Sequence, residues 1–405
     1  MTTGYLESTE NPIYKRIVLA LGAELARSGL EILLVKPSGF TQDTYERFLE
    51  GQSDAVYISH SGVTLVQAQT ADHAIRNFEH FPGKLVFLHL DAILVDRRCS
   101  SIEEASSLLQ AWKRVADRSV HLCIEPADAQ ALREAGIKHT NVIPHATEIP
   151  AGEPATEPFD FDVTFVGHVL PGKHVQTSGS GPVDQLVERL LQKRFSDSAA
   201  PLREDLAVFA ENLREQMEES VDKPLRRLAC IQWLRRQVSL QSLRFRGALI
   251  EAADLDTLNI FGGDPAHLYG NDQTFFIAKP GVRCHPPVYD LAALRRTYRQ
   301  SRVCINLSSP QFDYAVPNRF HDVFMSGGLC LTDRRDGLQD LTPRFEEVSF
   351  RTLGQLEDKI RYYTKPENCE HRASLIKAIQ ADITANSGYK YWCRQIDAAL
   401  SRPCQ

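Results

Sequence analysis

The sequence predicts an α/β protein of two lobes, because short apolar runs alternate with helical patterns along the chain and a proline-rich segment interrupts them once. The strand-like runs of the first part are residues 31–35, 55–59, 85–89, 121–124 and 141–143. Each interval contains a plausible helix, and such alternation is typical of a parallel sheet covered on both faces. Residues 144–158 have several prolines and no apolar periodicity, so we expect an exposed interdomain linker there.

A second α/β lobe is predicted to begin with the strand at residues 161–166. Further strand-like runs and helical patterns follow it: strands at 258–261, 303–307 and 329–332, and helices at 353–363, 372–383 and 389–400. The charged helical segment at about 183–246 is expected to be an insertion or cover in this second lobe. The predicted domains are therefore residues 1–150, residues 151–388 and a final helical segment, 389–405.

Composition and charge exclude several classes of protein. The 405 residues include 43% hydrophobic and 24% charged residues, enough for a large core. The net charge of -6 argues against a protein built around nucleic acid. No apolar run reaches the roughly 18 residues of a membrane span, and the first ten residues lack a signal pattern, so we expect a cytoplasmic protein without integral membrane association. The nine cysteines are spaced singly, which favours reduced thiols over a metal site.

The densest candidate site lies between two predicted strands, at residues 313–328. Pro317 can open a helix whose free amides, with that of Asn318, form an anion site. Arg319 would add a positive fork for a diphosphate, and Asp322 could accept hydrogen bonds from a ribose diol. Together these residues predict a nucleotide-diphosphate pocket. The alternative is an ordinary capped helix whose Arg319 and Asp322 pair on the surface.

Two glycine-containing turns follow predicted strands of the second lobe. Gly167 and His168, with the loop at 171–174 behind them, follow the first strand, where open α/β sheets bind ligands. Gly167 would let backbone approach a phosphate. The turn at Gly262 and Gly263 has the same possible role. Neither a Walker loop nor a dinucleotide fingerprint is complete, so ordinary turn glycines are the alternative at both places.

Two histidines of the first lobe are candidates for a catalytic base. His60, within residues 59–62, and His89, two residues before Asp91, both stand at predicted strand ends. Histidine can deprotonate a hydroxyl near neutral pH, and a nearby carboxylate can orient it. The alternative is that these side chains satisfy local backbone groups. His139 and His145 are weaker candidates, and no G-x-S-x-G elbow is present.

A series of motifs in the second lobe has a familiar order and spacing. The segments are 161–167, 258–262, 288–290 with Leu294 and Tyr298, 301–307, 318–322 and 327–333. As a set they resemble the spore maturation protein (CgeB-like) branch of the GT-B glycosyltransferases. The resemblance covers the whole second lobe and continues to the last helix, where Tyr389 and Arg394 stand, while the first lobe fits by element order.

The resemblance implies a glycosyltransferase with two Rossmann-like lobes facing a central cleft, in which the final helix packs back on the first lobe. It implies a UDP-, GDP- or dTDP-sugar donor, no metal, and a glycan, protein or small-molecule hydroxyl as acceptor. The donor-binding residues it suggests are Gly167, His168, Gly262, Tyr289, Asn306, Pro317, Asn318, Arg319, Asp322, Gly327 and Gly328. Two positions depart from the family pattern, since Asp322 replaces the usual Glu and Tyr314 occupies the place of the first paired glutamate. A sugar-nucleotide epimerase and a non-catalytic sugar-nucleotide or glycan-binding protein remain the alternatives.

Overall fold

The computed structural model forms two compact units, each built on its own parallel sheet. It describes residues 3–7, 12–35, 55–60, 81–91, 93, 101–172, 181–214, 223–262, 277 and 279–400. Unit 1 comprises Met1–Pro144, Arg203–Arg236 and Gly388–Gln405, and unit 2 comprises His145–Leu202 and Gln237–Ser387. The sheets and the intervening helices confirm the predicted α/β class.

The sheet of unit 1 has six described strands, all parallel, in the order β2-β1-β3-β4-β5-β6. They are β1 (Thr3–Glu7), β2 (Glu31–Val35), β3 (Val56–Ser59), β4 (Lys84–His89), β5 (Ser119–Cys123) and β6 (Thr140–Val142). The sequence predicted β2 to β6 but not β1, which lies inside the sheet between β2 and β3. The strand order therefore reverses between β1 and β3, which is the position where open sheets of this kind bind ligands.

The sheet of unit 2 also has six described strands, all parallel, in the order β12-β11-β10-β7-β8-β9. They are β7 (Phe161–Val166), β8 (Leu258–Phe261), β9 (Val282–His285), β10 (Ser301–Asn306), β11 (Cys330–Asp333) and β12 (Ser349–Phe350). The four predicted strands are confirmed, while β9 and β12 were not predicted. Here the strand order reverses between β7 and β10.

Helices follow the strands in both units. The described α-helices are α1 (Pro12–Arg27), α2 (Ile102–Arg114), α3 (Pro126–Glu134), α4 (Pro182–Ser196), α5 (Arg203–Arg214), α6 (Lys223–Leu240), α7 (Ser242–Ala252), α8 (Leu291–Arg299), α9 (Asn318–Met325), α10 (Gly337–Leu341), α11 (Phe345–Val348), α12 (Leu353–Tyr363), α13 (Cys369–Asn386) and α14 (Tyr389–Leu400). The apolar stripe that predicted α1 is its buried face, since Ile17, Leu21 and Leu25 are at most 4% exposed. Helix α14 packs against α1, and Trp392 donates its indole N–H to the carbonyl of Pro144 at 2.8 Å.

The charged helical segment differs from the prediction in its unit assignment. We expected residues 183–246 to belong to the second lobe, but residues 203–236, which include α5 and most of α6, belong to unit 1. Buried polar contacts hold α6 to α3. The Asp128 carboxylate accepts from Gln232 Nε2 at 2.8 Å and pairs with Arg235. Sequence periodicity could not show this, because it reports which face of a helix is apolar and not which sheet that face meets.

We predict that Arg235→Met lowers the free energy of unfolding by about 3–5 kcal/mol, because it leaves the buried carboxylates of Asp128 and Glu125 without their cation. Chemical denaturation followed by circular dichroism measures this loss. The matched control is Arg227→Met on the same helix, whose ion pair with Glu211 is roughly 40% exposed on both sides and is expected to contribute less than about 1 kcal/mol. Equal losses in the two variants would contradict the prediction.

The proline-rich segment begins where the chain divides between the two units, as predicted, but it is not a free linker. Its backbone is bound to unit 2: Gly152 N–H donates to the Met325 carbonyl and Ala155 N–H to the Gly327 carbonyl, both at 2.8 Å. Arg372 donates to the Ala155 carbonyl at 2.6 Å. A proline-rich composition indicates a lack of regular secondary structure. It does not indicate whether the backbone groups of the segment are hydrogen-bonded to the rest of the protein.

Two further expectations concern the cysteines and membrane spans. Each described cysteine is a free thiol: Cys123, Cys230, Cys284, Cys304, Cys330, Cys369 and Cys393. Cys99 and Cys404 lie outside the described residues. Among the helices that the structure describes, none combines the length and the apolar character needed to cross a bilayer.

Candidate functional site

The carboxyl edge of the unit 2 sheet gathers several of the predicted site residues. Gly167 follows β7, Asn306 ends β10, and α9 begins at Asn318 after the connection from β10. Because β7 and β10 flank the reversal of strand order, these residues surround the crevice where ligands bind in such sheets. Pro317 is the N-cap of α9 rather than its first residue, and no side chain caps the first turn.

The Arg319 side chain is held at this crevice by two contacts and lies close to Gly167. Its Nη1 donates to Asn306 Oδ1 at 2.6 Å, and its guanidinium lies over the Phe165 ring, 4.9 Å from the centroid. Gly167 has a φ of +153°, and a Cβ there would stand 2.6 Å from Arg319 Nη2. The glycine is therefore needed both for its backbone conformation and for the close approach of the guanidinium.

A buried polar network fixes Asn306 and the backbone that follows it. Asn306 Nδ2 donates to Thr332 Oγ1 at 2.8 Å, and the N–H and hydroxyl of Ser308 donate to Asp333 Oδ1 at 2.9 and 2.8 Å. Arg335 pairs with the other Asp333 oxygen at 2.6 Å. Ser308, Asp333 and Arg335 were not predicted as site residues, although the position of Asp333 at a strand end was an available signal. The network pre-positions the amide oxygen that holds Arg319.

Asp322 lies in the same helix but in a different environment. It is only 6% exposed, and its Oδ1 accepts a hydrogen bond from Thr147 Oγ1 at 2.6 Å. The alternative interpretation, a surface pair of Arg319 and Asp322, is wrong because Asp322 is buried. Asp322, the residue predicted to bind the ribose, is thus hydrogen-bonded to the segment that precedes β7.

Two buried imidazoles flank the start of α9 and are neutral at physiological pH. Burial lowers the pKa of His145 to about 3 and that of His321 to about 4. A neutral imidazole adds no positive charge at the start of the helix. The cationic group of this crevice is therefore the Arg319 guanidinium.

His168, Gly262 and Tyr289 form a hydrogen-bonded set at the ends of β7 and β8. His168 Nδ1 lies 2.8 Å from the Gly262 carbonyl, and its Nε2 lies 2.9 Å from the Tyr289 hydroxyl. Because a carbonyl only accepts, Nδ1 carries a proton and donates to Gly262, while Nε2 and the Tyr289 hydroxyl share a second hydrogen bond. The Tyr289 side chain is 48% exposed. Gly263, Lys173 and His174, which the sequence analysis also noted, lie outside the described residues.

Gly327 and Gly328 do not belong to this crevice, which corrects their suggested role in donor binding. They follow the carboxyl end of α9 and precede β11, so they lie at the opposite edge of the sheet from Gly167. A Cβ on Gly327 would stand 2.2 Å from the Glu153 carbonyl, and one on Gly328 2.8 Å from the Tyr298 carbonyl. Both glycines are required for close backbone packing.

His89, predicted as a catalytic base of the first lobe, is instead a core residue. Its Nε2 lies 2.9 Å from Nδ1 of His121, and its ring packs on Trp112 with centroids 5.1 Å apart. Burial lowers the pKa of His89 to about 3. Because its Nε2 is paired with His121 and its ring packs among the aromatic rings of the core, His89 does not meet a substrate hydroxyl, and the structure removes it from the candidates.

His60 and Asp91 remain at the carboxyl edge of the unit 1 sheet, joined by a residue that the sequence analysis missed. The Tyr14 hydroxyl donates to Asp91, and the Tyr14 ring meets the His60 ring edge-on with centroids 5.5 Å apart. Glu7, also missed, ends β1 beside them. Ser61 and Gly62, the rest of the predicted motif, lie outside the described residues.

Comparison with known structures identifies the architecture. β-Glucosyltransferase of T4 phage in complex with UDP-glucose is 10% identical, covers 99% of this chain and 100% of its own, and has a TM-score of 0.53. Anabaena Alr3699/HepE in complex with UDP and glucose is 12% identical, covers 99% of both chains and has a TM-score of 0.50. The fold is GT-B. An α-glucosyltransferase in complex with UDP-glucose and DNA also has this fold, at 8% identity, 99% coverage of both chains and a TM-score of 0.54.

Sequence comparison adds a match over part of the GT-B chain. Residues 235–398, less than half of the chain, match a family model described as glycosyl transferase-like. This range includes Asn306, Arg319 and Asp322. No curated protein matches the sequence.

Proposed function

We propose that this GT-B protein is a glycosyltransferase that uses a nucleoside-diphosphate sugar and transfers a hexosyl group to a hydroxyl acceptor. The observation that carries the proposal is the Arg319 guanidinium, fixed by Asn306 against Gly167 beside the start of α9. A fixed guanidinium and the free amides of a helix start are the groups that bind a diphosphate. The match of residues 235–398 to the glycosyl transferase-like model supports the same assignment.

In the proposed reaction, unit 2 binds the donor. The leaving diphosphate gains charge as the glycosidic bond breaks, and preorganised donors such as Arg319 and the α9 amides stabilise that charge. His168, Gly262 and Tyr289 provide polar and aromatic contacts for the nucleoside. Asp322, whose Oδ1 accepts from Thr147, is the proposed acceptor for a ribose hydroxyl. We also propose that the protein belongs to the CgeB-like branch of the GT-B glycosyltransferases.

Metal independence is part of the proposal. The Arg319 guanidinium and the amides at the start of α9 can neutralise the diphosphate without a metal ion. T4 phage β-glucosyltransferase has been crystallised with UDP and Mn²⁺, so the effect of a divalent ion must be measured directly.

Unit 1 supplies the base in this scheme, and the candidates are His60 and Asp91. The acceptor oxygen forms a bond to the sugar C1, the bond from C1 to the diphosphate oxygen breaks, and its electron pair leaves with the diphosphate. The base takes the proton of the acceptor hydroxyl. Both candidates stand at the carboxyl edge of their sheet, as expected for groups that meet a ligand.

Isothermal titration calorimetry with UDP, GDP and dTDP, each with Mn²⁺ and with EDTA, tests the proposal. We expect one nucleotide to bind in preference to the others, with a dissociation constant that EDTA does not change. Incubation with the corresponding glucose donor then separates the activities, because an epimerase converts the donor without releasing nucleotide and a binding protein leaves it intact. Absence of binding by every nucleotide would contradict the proposed donor site.

A further inference from the structure

We propose that Glu7 is the positioning residue for His60, and that His60 rather than Asp91 is the base. Glu7 is the last residue of β1, and His60 directly follows β3. These two strands are paired and flank the reversal of strand order in the unit 1 sheet. The pair therefore stands where a ligand enters an open sheet. The inference rests on the proposed glycosyl transfer.

The Glu7 carboxylate is buried, is hydrogen-bonded by Ser59 and lies beside the His60 ring without a hydrogen bond to Nδ1. The residue is 3% exposed, and its Oε2 accepts from Ser59 Oγ at 2.5 Å. Its Oε1 lies 3.8 Å from Nδ1 of His60. Ser59 is fully buried, so its hydroxyl orients the carboxylate and does not meet a substrate. A buried carboxylate is costly unless its partners are fixed, and here it has a donor on one oxygen and an imidazole beside the other.

His60 also contacts Tyr14, whose ring meets the imidazole edge-on at 64°. The Tyr14 hydroxyl donates a hydrogen bond to the Asp91 carboxylate. Tyr14 therefore contacts both Asp91 and His60. Of the contacts described for His60, Glu7 from β1 lies beside Nδ1 and Tyr14 from α1 packs on the ring, with Asp91 hydrogen-bonded to Tyr14. Of these two carboxylates, that of Glu7 is the one beside the imidazole.

This arrangement selects one form of the imidazole. A carboxylate beside Nδ1 favours the tautomer with the proton on Nδ1, because that proton faces the negative charge. The lone pair is then on Nε2, which can accept the proton of the acceptor hydroxyl while the acceptor oxygen bonds to C1 and the diphosphate leaves. Glu7 itself touches no substrate in this scheme.

The tautomer of His60 is the direct test, and it needs neither donor nor acceptor. Nitrogen-15 NMR of the full-length protein at pH 8 reports which ring nitrogen is protonated. We expect the Nδ1–H form in the unmodified protein, a large shift toward the Nε2–H form in Glu7→Gln, and a smaller shift in Ser59→Ala. The matched control is Glu24→Gln on α1, whose carboxylate pairs with Arg27 and leaves His60 unaffected. An unchanged tautomer in Glu7→Gln, or in Ser59→Ala should the first variant not fold, overturns the inference.

Kinetics then separate positioning from a structural role. With UDP-glucose as donor and water or simple sugars as acceptors, Glu7→Gln is expected to lower kcat about 100-fold with the affinity for UDP unchanged. In a His60→Asn background the same change should cause no further loss, because the two residues act as one unit. Additive losses would overturn the inference. Failure of UDP to bind the unmodified protein would count against the proposed function, while the tautomer still decides the role of Glu7.

Discussion

Arg319→Ala is expected to weaken binding of the preferred nucleoside diphosphate by about 10- to 100-fold, because a charge-assisted hydrogen bond contributes about 1.5–3 kcal/mol. The affinity of Arg319→Lys for the nucleoside diphosphate should lie between those of the unmodified protein and Arg319→Ala. Lysine keeps the positive charge but lacks the planar guanidinium that Asn306 holds at 2.6 Å. Isothermal titration calorimetry gives both affinities. The matched control is Arg344→Ala, an arginine of unit 2 paired on the surface with Glu347, for which no change is expected.

A second titration, with inorganic pyrophosphate, tests whether Arg319 contacts the diphosphate rather than the nucleoside. If Arg319 contacts the diphosphate, pyrophosphate and the nucleoside diphosphate should lose affinity by the same factor in Arg319→Ala. A loss confined to the nucleotide would place Arg319 against the nucleoside instead. An unchanged affinity for both would remove Arg319 from the site.

His60→Asn is expected to lower turnover by about 10²- to 10⁴-fold, the usual contribution of a general base, while the affinity for the nucleoside diphosphate stays the same. Asp91→Asn should have the smaller effect, because Asp91 accepts from the Tyr14 hydroxyl and the Tyr14 ring packs on His60. Initial rates of nucleotide release from the donor measure both variants. His371→Asn is the matched control, since His371 is an exposed histidine of unit 2 that pairs with Glu347.

A larger loss of turnover in Asp91→Asn than in His60→Asn would identify Asp91 as the base. A fall in nucleotide affinity in His60→Asn, with kcat unchanged, would show that His60 acts in binding and not in proton transfer. Because the proposed base belongs to unit 1 and the proposed diphosphate-binding arginine to unit 2, the Arg319 and His60 variants should affect different parameters.

Much of the fold was predictable because strand and helix periodicity are local properties. The runs at β2 to β8, β10 and β11 are short and apolar, and the helices α12 and α14 were predicted to the residue. β1 was missed because its only large apolar residues are Tyr5 and Leu6, within an acidic and polar beginning. Its burial comes from both neighbouring strands, and sequence periodicity does not report pairing partners.

Because β1 was not predicted, Glu7 was not recognised as a residue of the candidate site in unit 1. Without that strand, Glu7 was one of several acidic residues near the start of the chain, and nothing placed it beside His60. The opposite error occurred at His89, where the position at a strand end suggested an exposed base. In the structure the aromatic neighbours Trp112 and His121 enclose it. Whether a strand-end histidine faces the crevice or the core depends on residues from other elements.

The sequence by itself determined the two α/β lobes, the crevice residues Gly167 and Arg319, and the candidate base His60, because each depends on strand ends and turn residues that neighbouring positions encode. The tertiary structure alone decided that Gly327 and Gly328 lie at the far edge of the sheet, that α5 and most of α6 belong to unit 1, and that Glu7 stands beside His60. These facts depend on strand order and on contacts between residues far apart in the chain. Local patterns cannot encode them, since strand order is set by which buried surfaces fit together.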